Sequence, residues 1–235
     1  MQNRRLTVLP SSMEITFGFC FLAFQVLFLG TAIVAAATAL HAPIDNLTVN
    51  ILYFLISLAA VLLIFRTFHR ANFANFRRDA KRVLKTALIA LPIYYAASLA
   101  VNGAIEVVVP DFFNRNDDTL ARMLEENFAL ALFMCVVLAP IVEETLYRGM
   151  LFASLTEVSR PLAYGITILF FSMIHIVGYL TTMSALEVLL SALQYIPATI
   201  MFCIIYERTD CIWTPILLHA AANLISCTVI RFTGG

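Results

Sequence analysis

The sequence predicts an all-α, polytopic bundle of about seven to eight transmembrane helices, on three observations. The composition is 61% hydrophobic and only 13% charged, with mean hydropathy +0.89, where a soluble domain carries about 25% charged residues. Seven apolar segments are each close to the roughly 20 residues that cross a bilayer as a helix. Lysine and arginine are sorted between alternate connecting segments, as the positive-inside rule expects of a multi-pass protein.

The spans read as Ile15–Leu40, Leu47–Phe65, Thr86–Ile105, Asn127–Val142 (continuing as helix toward Leu151), Leu162–Leu180, Leu186–Tyr206 and Ile212–Ile230. The first is too long for the 7–15-residue apolar region of a signal peptide, so a retained helix is expected. Pro92, Pro140 and Pro197 punctuate the third, fourth and sixth, which membrane helices accept when neighbours satisfy the freed carbonyls. With the N-terminus cytoplasmic, the inner segments hold Arg4, Arg5, Arg66, Arg70, Arg77, Arg78, Lys81, Arg82, Lys85, Arg148, Arg160 and Arg208, leaving Arg115, Arg122 and Arg231 outside. An integral, multi-pass protein with its N-terminus in the cytoplasm and its C-terminus outside is therefore expected. Phe65–Lys85 interleaves Phe68, Phe73 and Phe76 with seven basic residues. Two readings stand: an amphipathic interfacial helix held by anionic lipid, or an ordinary inner loop that sets topology.

Five cysteines, Cys20, Cys135, Cys203, Cys211 and Cys227, lie in or beside apolar segments without a C-x-x-C. An odd count in such positions argues for packing rather than a disulfide framework. The formal net charge of zero says nothing about a nucleic-acid partner, but no domain-wide basic surface is available to bind one. The expected division is functional: residues 1–126 carry no suspicious polar groups inside spans, and residues 127–235 carry the chemistry.

That chemistry begins at Glu143-Glu144, which ends an almost uncharged stretch from Phe128. A carboxylate at membrane depth costs about 2.5–3.5 kcal/mol even on lenient scales and marks a functional site by default. An α-helix turns about 100° per residue, so Glu144 and Arg148 lie within about 40° and form a favourable i,i+4 pair. Glu143 points about 140° away from Arg148 on the same geometry and is left to face another helix. His175 and His219 belong to two later spans, and Asn223 shares the face of His219, with three alanines between them. A carboxylate with a histidine can orient and deprotonate water, and a His–Asn pair can hold an oxyanion. Each residue also has a structural reading. The glutamates can be solvated helix-end residues, His175 a packing residue, and His219 and Asn223 helix–helix glue.

Glu143-Glu144-x-x-x-Arg148, Phe171-x-x-x-His175 and His219-x-x-x-Asn223, in this order, resemble the CPBP family. These are the type II CAAX prenyl endopeptidases and their bacterial relatives, also called the Abi or bacteriocin-processing family. The resemblance runs from about residue 127 to 230. It implies a glutamate-type intramembrane endopeptidase of a prokaryotic cell membrane that uses no cofactor or metal. In it Glu143 is the general base, assisted by His175; His219 and Asn223 stabilise the oxyanion; and Glu144 and Arg148 support the site. The implied partners are the lipid bilayer and a peptide or membrane-associated protein substrate. The eukaryotic members imply eight helices, where seven spans are read here. A zinc metalloprotease on the same residues, a non-enzymatic membrane scaffold or immunity protein, and a proton-coupled transporter are the alternatives. The lack of H-E-x-x-H and of an inverted repeat counts against the first and last of these.

Overall fold

The computed structural model describes residues 6–233. Arg4 and Arg5, counted above among the inner basic residues, lie outside the described residues. Seven helices are long and apolar enough to cross a membrane. In chain order the helices are α1 (Ser12–Ala39), α2 (Asn46–Ile64), α3 (Arg66–Val108), the short polar α4 (Arg115–Glu126), α5 (Phe128–Thr156), α6 (Arg160–Tyr179), α7 (Ala185–Thr209) and α8 (Trp213–Phe232). No strand occurs among the described residues. The ends of each span read from the sequence fall within three residues of a helix's ends, except where α3 and α5 run longer.

Polar caps set most helix starts. Ser11 and Glu14 form a capping box on α1, Asp45 accepts the Thr48 N–H at 2.7 Å on α2, and Ser184 with Glu187 forms a second capping box on α7. Such caps satisfy N–H groups that a helix start leaves unpaired. Glu14 does this twice: its second oxygen accepts the Thr67 and Phe68 N–H groups, both at 3.0 Å, and so also caps α3.

One expectation is corrected here, and the choice between helix and loop for Phe65–Lys85 is decided. The first half of the chain does bury polar groups. Besides Glu14, Gln25 donates to Ser57 at 2.9 Å, and His69 and Asn72 are enclosed. His69 is therefore buried within a helix as His219 is, whereas His175 is half-buried. These pairs escaped detection because each partner lies on a different helix, beyond any local spacing rule. Phe65–Lys85 is also no loop. Arg66 begins a helix that continues to Val108, with a single non-helical residue at Asp79 (φ −122°, ψ 28°). Phe68, His69 and Asn72 pack inward and the basic residues point out.

α5 is the hub, with 56% of its apolar stretch enclosed against 11% for α3. Its Val142, Leu146 and Met150 share one core with Phe65 and Phe68 from the first half and with Phe171, Tyr206 and Ile216 from the second. The outward apolar side chains, such as Leu63, Leu88 and Leu99, are those a bilayer covers. Glycine sets the closest approach of α1 to α5: a methyl group on Gly18 meets the Met150 sulfur and the Phe65 ring, whereas one on Gly30 meets nothing within 4 Å. Gly18→Val is expected to destabilise the detergent-solubilised protein by about 1–3 kcal/mol through overpacking. Gly30→Ala is expected to leave the thermal midpoint unchanged; equal melting of the two variants would refute this account of the α1–α5 contact.

Candidate active site

α5 is not a regular helix where the glutamates sit. A short α-helical turn, Ala139–Glu143, separates two wide π-helical stretches, Met134–Leu138 and Glu144–Phe152. In the first stretch the Ala139 N–H reaches back five residues to the Met134 carbonyl. The next donor in that register would be residue 140, a proline without an N–H. The Cys135 carbonyl is thereby freed, and Asn223 Nδ2 of α8 donates to it at 2.7 Å. In the second stretch the Thr145 hydroxyl donates to the Ile141 carbonyl at 2.6 Å and lies 3.2 Å from His69 Nε2 of α3. With its own hydrogen committed, the hydroxyl accepts from His69. Residues on both sides of the carboxylates are thus tied to other helices.

Glu144 and Arg148 form the pair expected from their spacing, at 3.0 Å, and both side chains are fully enclosed. The pair has a third member that sequence reasoning missed. His219 Nδ1 lies 2.8 Å from the same Glu144 oxygen. A carboxylate only accepts, so Nδ1 carries the hydrogen and Nε2 is turned away. The Arg148 guanidinium lies over the Phe171 ring at 4.0 Å from its centroid and faces Phe202 at 4.9 Å. Contacts of this kind give a desolvated cation about 2 kcal/mol. Phe202 in turn stacks on His219 (5.1 Å, 23°). Arginine, histidine and two aromatic rings therefore form one packed block around Glu144.

Glu143 sits apart from that block. Its Oε2 lies 3.8 Å from His175 Nε2 and 3.9 Å from His219 Nε2, and it accepts no hydrogen bond among the described residues. His175 Nδ1 lies 2.7 Å from the Phe171 carbonyl, which fixes its hydrogen on Nδ1 and leaves Nε2 facing Glu143. The ring is held flat by Tyr195, stacked at 4.3 Å and 26°. Tyr195 lies between the two helical parts of α7, Ala185–Gln194 and Ile196–Thr209, the second of which opens with Pro197. The proline was a sequence signal for that break; the stacking partner was not visible.

Of the six residues singled out from the sequence, Glu143, Glu144, Arg148, His175 and His219 come together in one cluster, and Asn223 is placed one helical turn beyond His219. His69, Thr145, Tyr195 and the Phe171–Phe202 pair are the additional residues that hold the cluster. Metal capacity is limited by spacing. Zinc bonds of 2.0–2.1 Å in a tetrahedron put ligand atoms about 3.3 Å apart, closer than the separations around Glu143. No group of three or more His, Cys, Asp or Glu among the described residues is arranged to hold a metal ion.

The Arg148 environment makes a clear expectation. Arg148→Met leaves Glu144 buried without its cation, a loss of about 3–5 kcal/mol. Arg148→Lys does not restore it, because an ammonium cannot lie flat between two rings. Thermal unfolding in detergent reads both; a lysine variant as stable as the parent would show that the ring contacts contribute nothing.

Comparison with known proteins finds similarity over the stretch that holds these residues. The family model described as type II CAAX prenyl endopeptidase, Rce1-like, matches residues 125–225. A Bacillus subtilis (strain 168) protein named "Putative membrane peptidase YdiL" is 27% identical over 178 residues, which cover 74% of this chain and 68% of that relative. No solved structure matches the chain. The stretch of this multi-pass membrane protein that holds both glutamates, His175, His219 and Asn223 is thus similar to the Rce1-like type II CAAX prenyl endopeptidases.

Proposed function

We propose that the chain is an intramembrane endopeptidase in which Glu143 activates water against a peptide bond. The observation that carries this reading is the unpartnered Glu143 Oε2 facing two imidazole Nε2 atoms at 3.8 and 3.9 Å. Separations above 3.5 Å between polar atoms are those a single water bridges. Formal charges support it as well. Glu143 and Glu144 against Arg148 leave one negative charge, and a buried net charge is costly. One proton carried on an Nε2 facing Glu143 balances the site.

The reaction then runs with the groups at hand. Glu143 takes a proton from water as its oxygen attacks the substrate carbonyl carbon. The carbonyl electrons move onto oxygen, and the oxyanion is met by the Nε2–H of His219 and by the amide N–H of Asn223 not used on Cys135. Collapse re-forms the carbonyl and breaks the C–N bond while the proton that Glu143 took from water passes to the leaving nitrogen, directly or through His175 Nε2. Glu144 and Arg148 take no part in the proton transfers. They fix His219 through Nδ1, and through it the direction of Nε2. The substrate is a membrane-associated peptide or protein; CAAX prenyl proteins are the class that the family's description names.

Glu143→Gln keeps the shape and removes the base. Peptide cleavage by the purified protein is expected to fall by at least about 10²–10⁴-fold with the thermal midpoint preserved, and activity of the parent is expected to survive chelator. Cleavage unaffected by Glu143→Gln sinks the assignment. Loss to chelator with recovery on adding zinc would instead make Glu143, His175 and His219 ligands. Asn223→Ala is expected to lower kcat about 10²–10³-fold with KM little changed, as when one oxyanion donor is removed. It also leaves the Cys135 carbonyl unpaired, at about 1–3 kcal/mol. Kinetics taken well below the variant's melting temperature separate the two effects, and an unchanged kcat there would confine Asn223 to its structural bond.

A further inference from the structure

The basic part of α3 lies outside the machinery described above, and its outer side borders an open, solvent-facing cavity. Arg78, Lys81, Arg82 and Lys85 line a space of about 470 Å³ together with Asp79 and Ile89, a volume suited to a small ligand or headgroup. Four cations against one carboxylate leave a net of three positive charges. Asp79 lies 4.0 Å from Arg78, and Arg78 also donates to Asn75 at 2.9 Å. Lys81 and Lys85 have no hydrogen-bonding or ion-pair partner among the described residues. The backbone leaves helical geometry at Asp79, at the edge of this space.

The cavity also sits at a sharp boundary. Up to Lys85 the outward charges are basic except Asp79. From Thr86 onward the helix carries no charge until Glu106, and Leu88, Ile89 and Ile93 are 69%, 53% and 53% exposed. Lys81, Lys85 and Ile89 follow one another at four-residue steps, so they lie along one face. A ligand seated there meets cations at one end and lipid-facing aliphatic side chains at the other. A free anion has no use for the second feature, and a neutral lipid has none for the first.

We propose that this cavity binds the phosphate headgroup of an anionic phospholipid, with an acyl chain running along Leu88, Ile89 and Ile93. The site has a route to the catalytic helix. Arg82 also donates to the Arg208 carbonyl, Asn75 to the Asp210 carbonyl at 3.3 Å, and Asn72 Oδ1 accepts the Ile212 N–H at 2.8 Å. The helix that holds the lipid therefore also grips the turn that leads into α8, which carries His219 and Asn223.

The test is lipid retention by the purified full chain in nanodiscs of phosphatidylcholine with or without phosphatidylglycerol, read by native mass spectrometry. Wild type is expected to retain phosphatidylglycerol over phosphatidylcholine. Lys81→Gln/Lys85→Gln, which leaves Arg82 and its clamp in place, is expected to weaken that preference about 25-fold, roughly fivefold per charge. Arg66→Gln/Arg70→Gln, the same charge change one helix segment away, is expected to leave it intact. Equal retention of both lipids by wild type, or equal loss in the two double variants, overturns the site. Displacement of the retained lipid by millimolar inorganic phosphate assigns the cavity to a free anion and overturns the lipid. None of these readings depends on peptidase activity.

Discussion

One oxygen of Glu144 organises the molecule. It accepts from Arg148 on its own helix and from His219 on α8, with both members of the ion pair fully enclosed. Burying two charges costs several kcal/mol each, and their attraction repays this only when geometry and further hydrogen bonds are good. Such a pair is a poor source of stability and a strict judge of position. It tolerates one register of α5 against α8 and one placement of the Phe171 and Phe202 rings around the guanidinium. Once that register is set, Glu143 has no cation of its own and is directed at the two Nε2 atoms. The functional-looking carboxylate is free because its neighbour is not.

The irregular course of α5 follows from the same constraint. A helix in lipid must satisfy its backbone groups within the protein, and Pro140 removes one donor. The wide register before it leaves the Cys135 carbonyl open, and Asn223 closes it. This side-chain bond to the backbone explains how a broken hydrogen-bond ladder is tolerated at this depth. π-helical turns concentrate at functional sites for a related reason, since they re-aim side chains at the expense of regular bonding. Here they bring two consecutive glutamates to different partners within one turn.

The seven spans were legible because hydropathy is a property of single segments, and the helices begin and end close to where composition changes. Glu144–Arg148 was legible because i,i+4 spacing is local. The motif residues gathered in one place as their order suggested, but three features were beyond reach. The shared hydrogen bond from His219 to Glu144 joins residues 75 positions apart. The stacking of Tyr195 on His175 depends on a helix break whose direction no pattern encodes. The basic segment from Phe65 to Lys85 has too few apolar residues for their spacing to decide between helix and loop. Its inward face is instead made of Phe68, His69 and Asn72, of which two are polar and bonded to distant backbone or side chains.

That last face shows why the family-like stretch is not self-sufficient. Residues 125–225 contain the two glutamates and both site histidines, yet Phe65 and Phe68 complete their core, and His69 reaches Thr145 beside Glu144. Asn72 satisfies the first N–H of the turn into α8. Glu14, by capping the start of α3, fixes where all three of these residues fall. A carboxylate at the beginning of the chain therefore sets the position of a histidine beside the site near its middle. The buried polar groups of the first half form a frame, and the register of the helices that carry the glutamates and histidines is read against it.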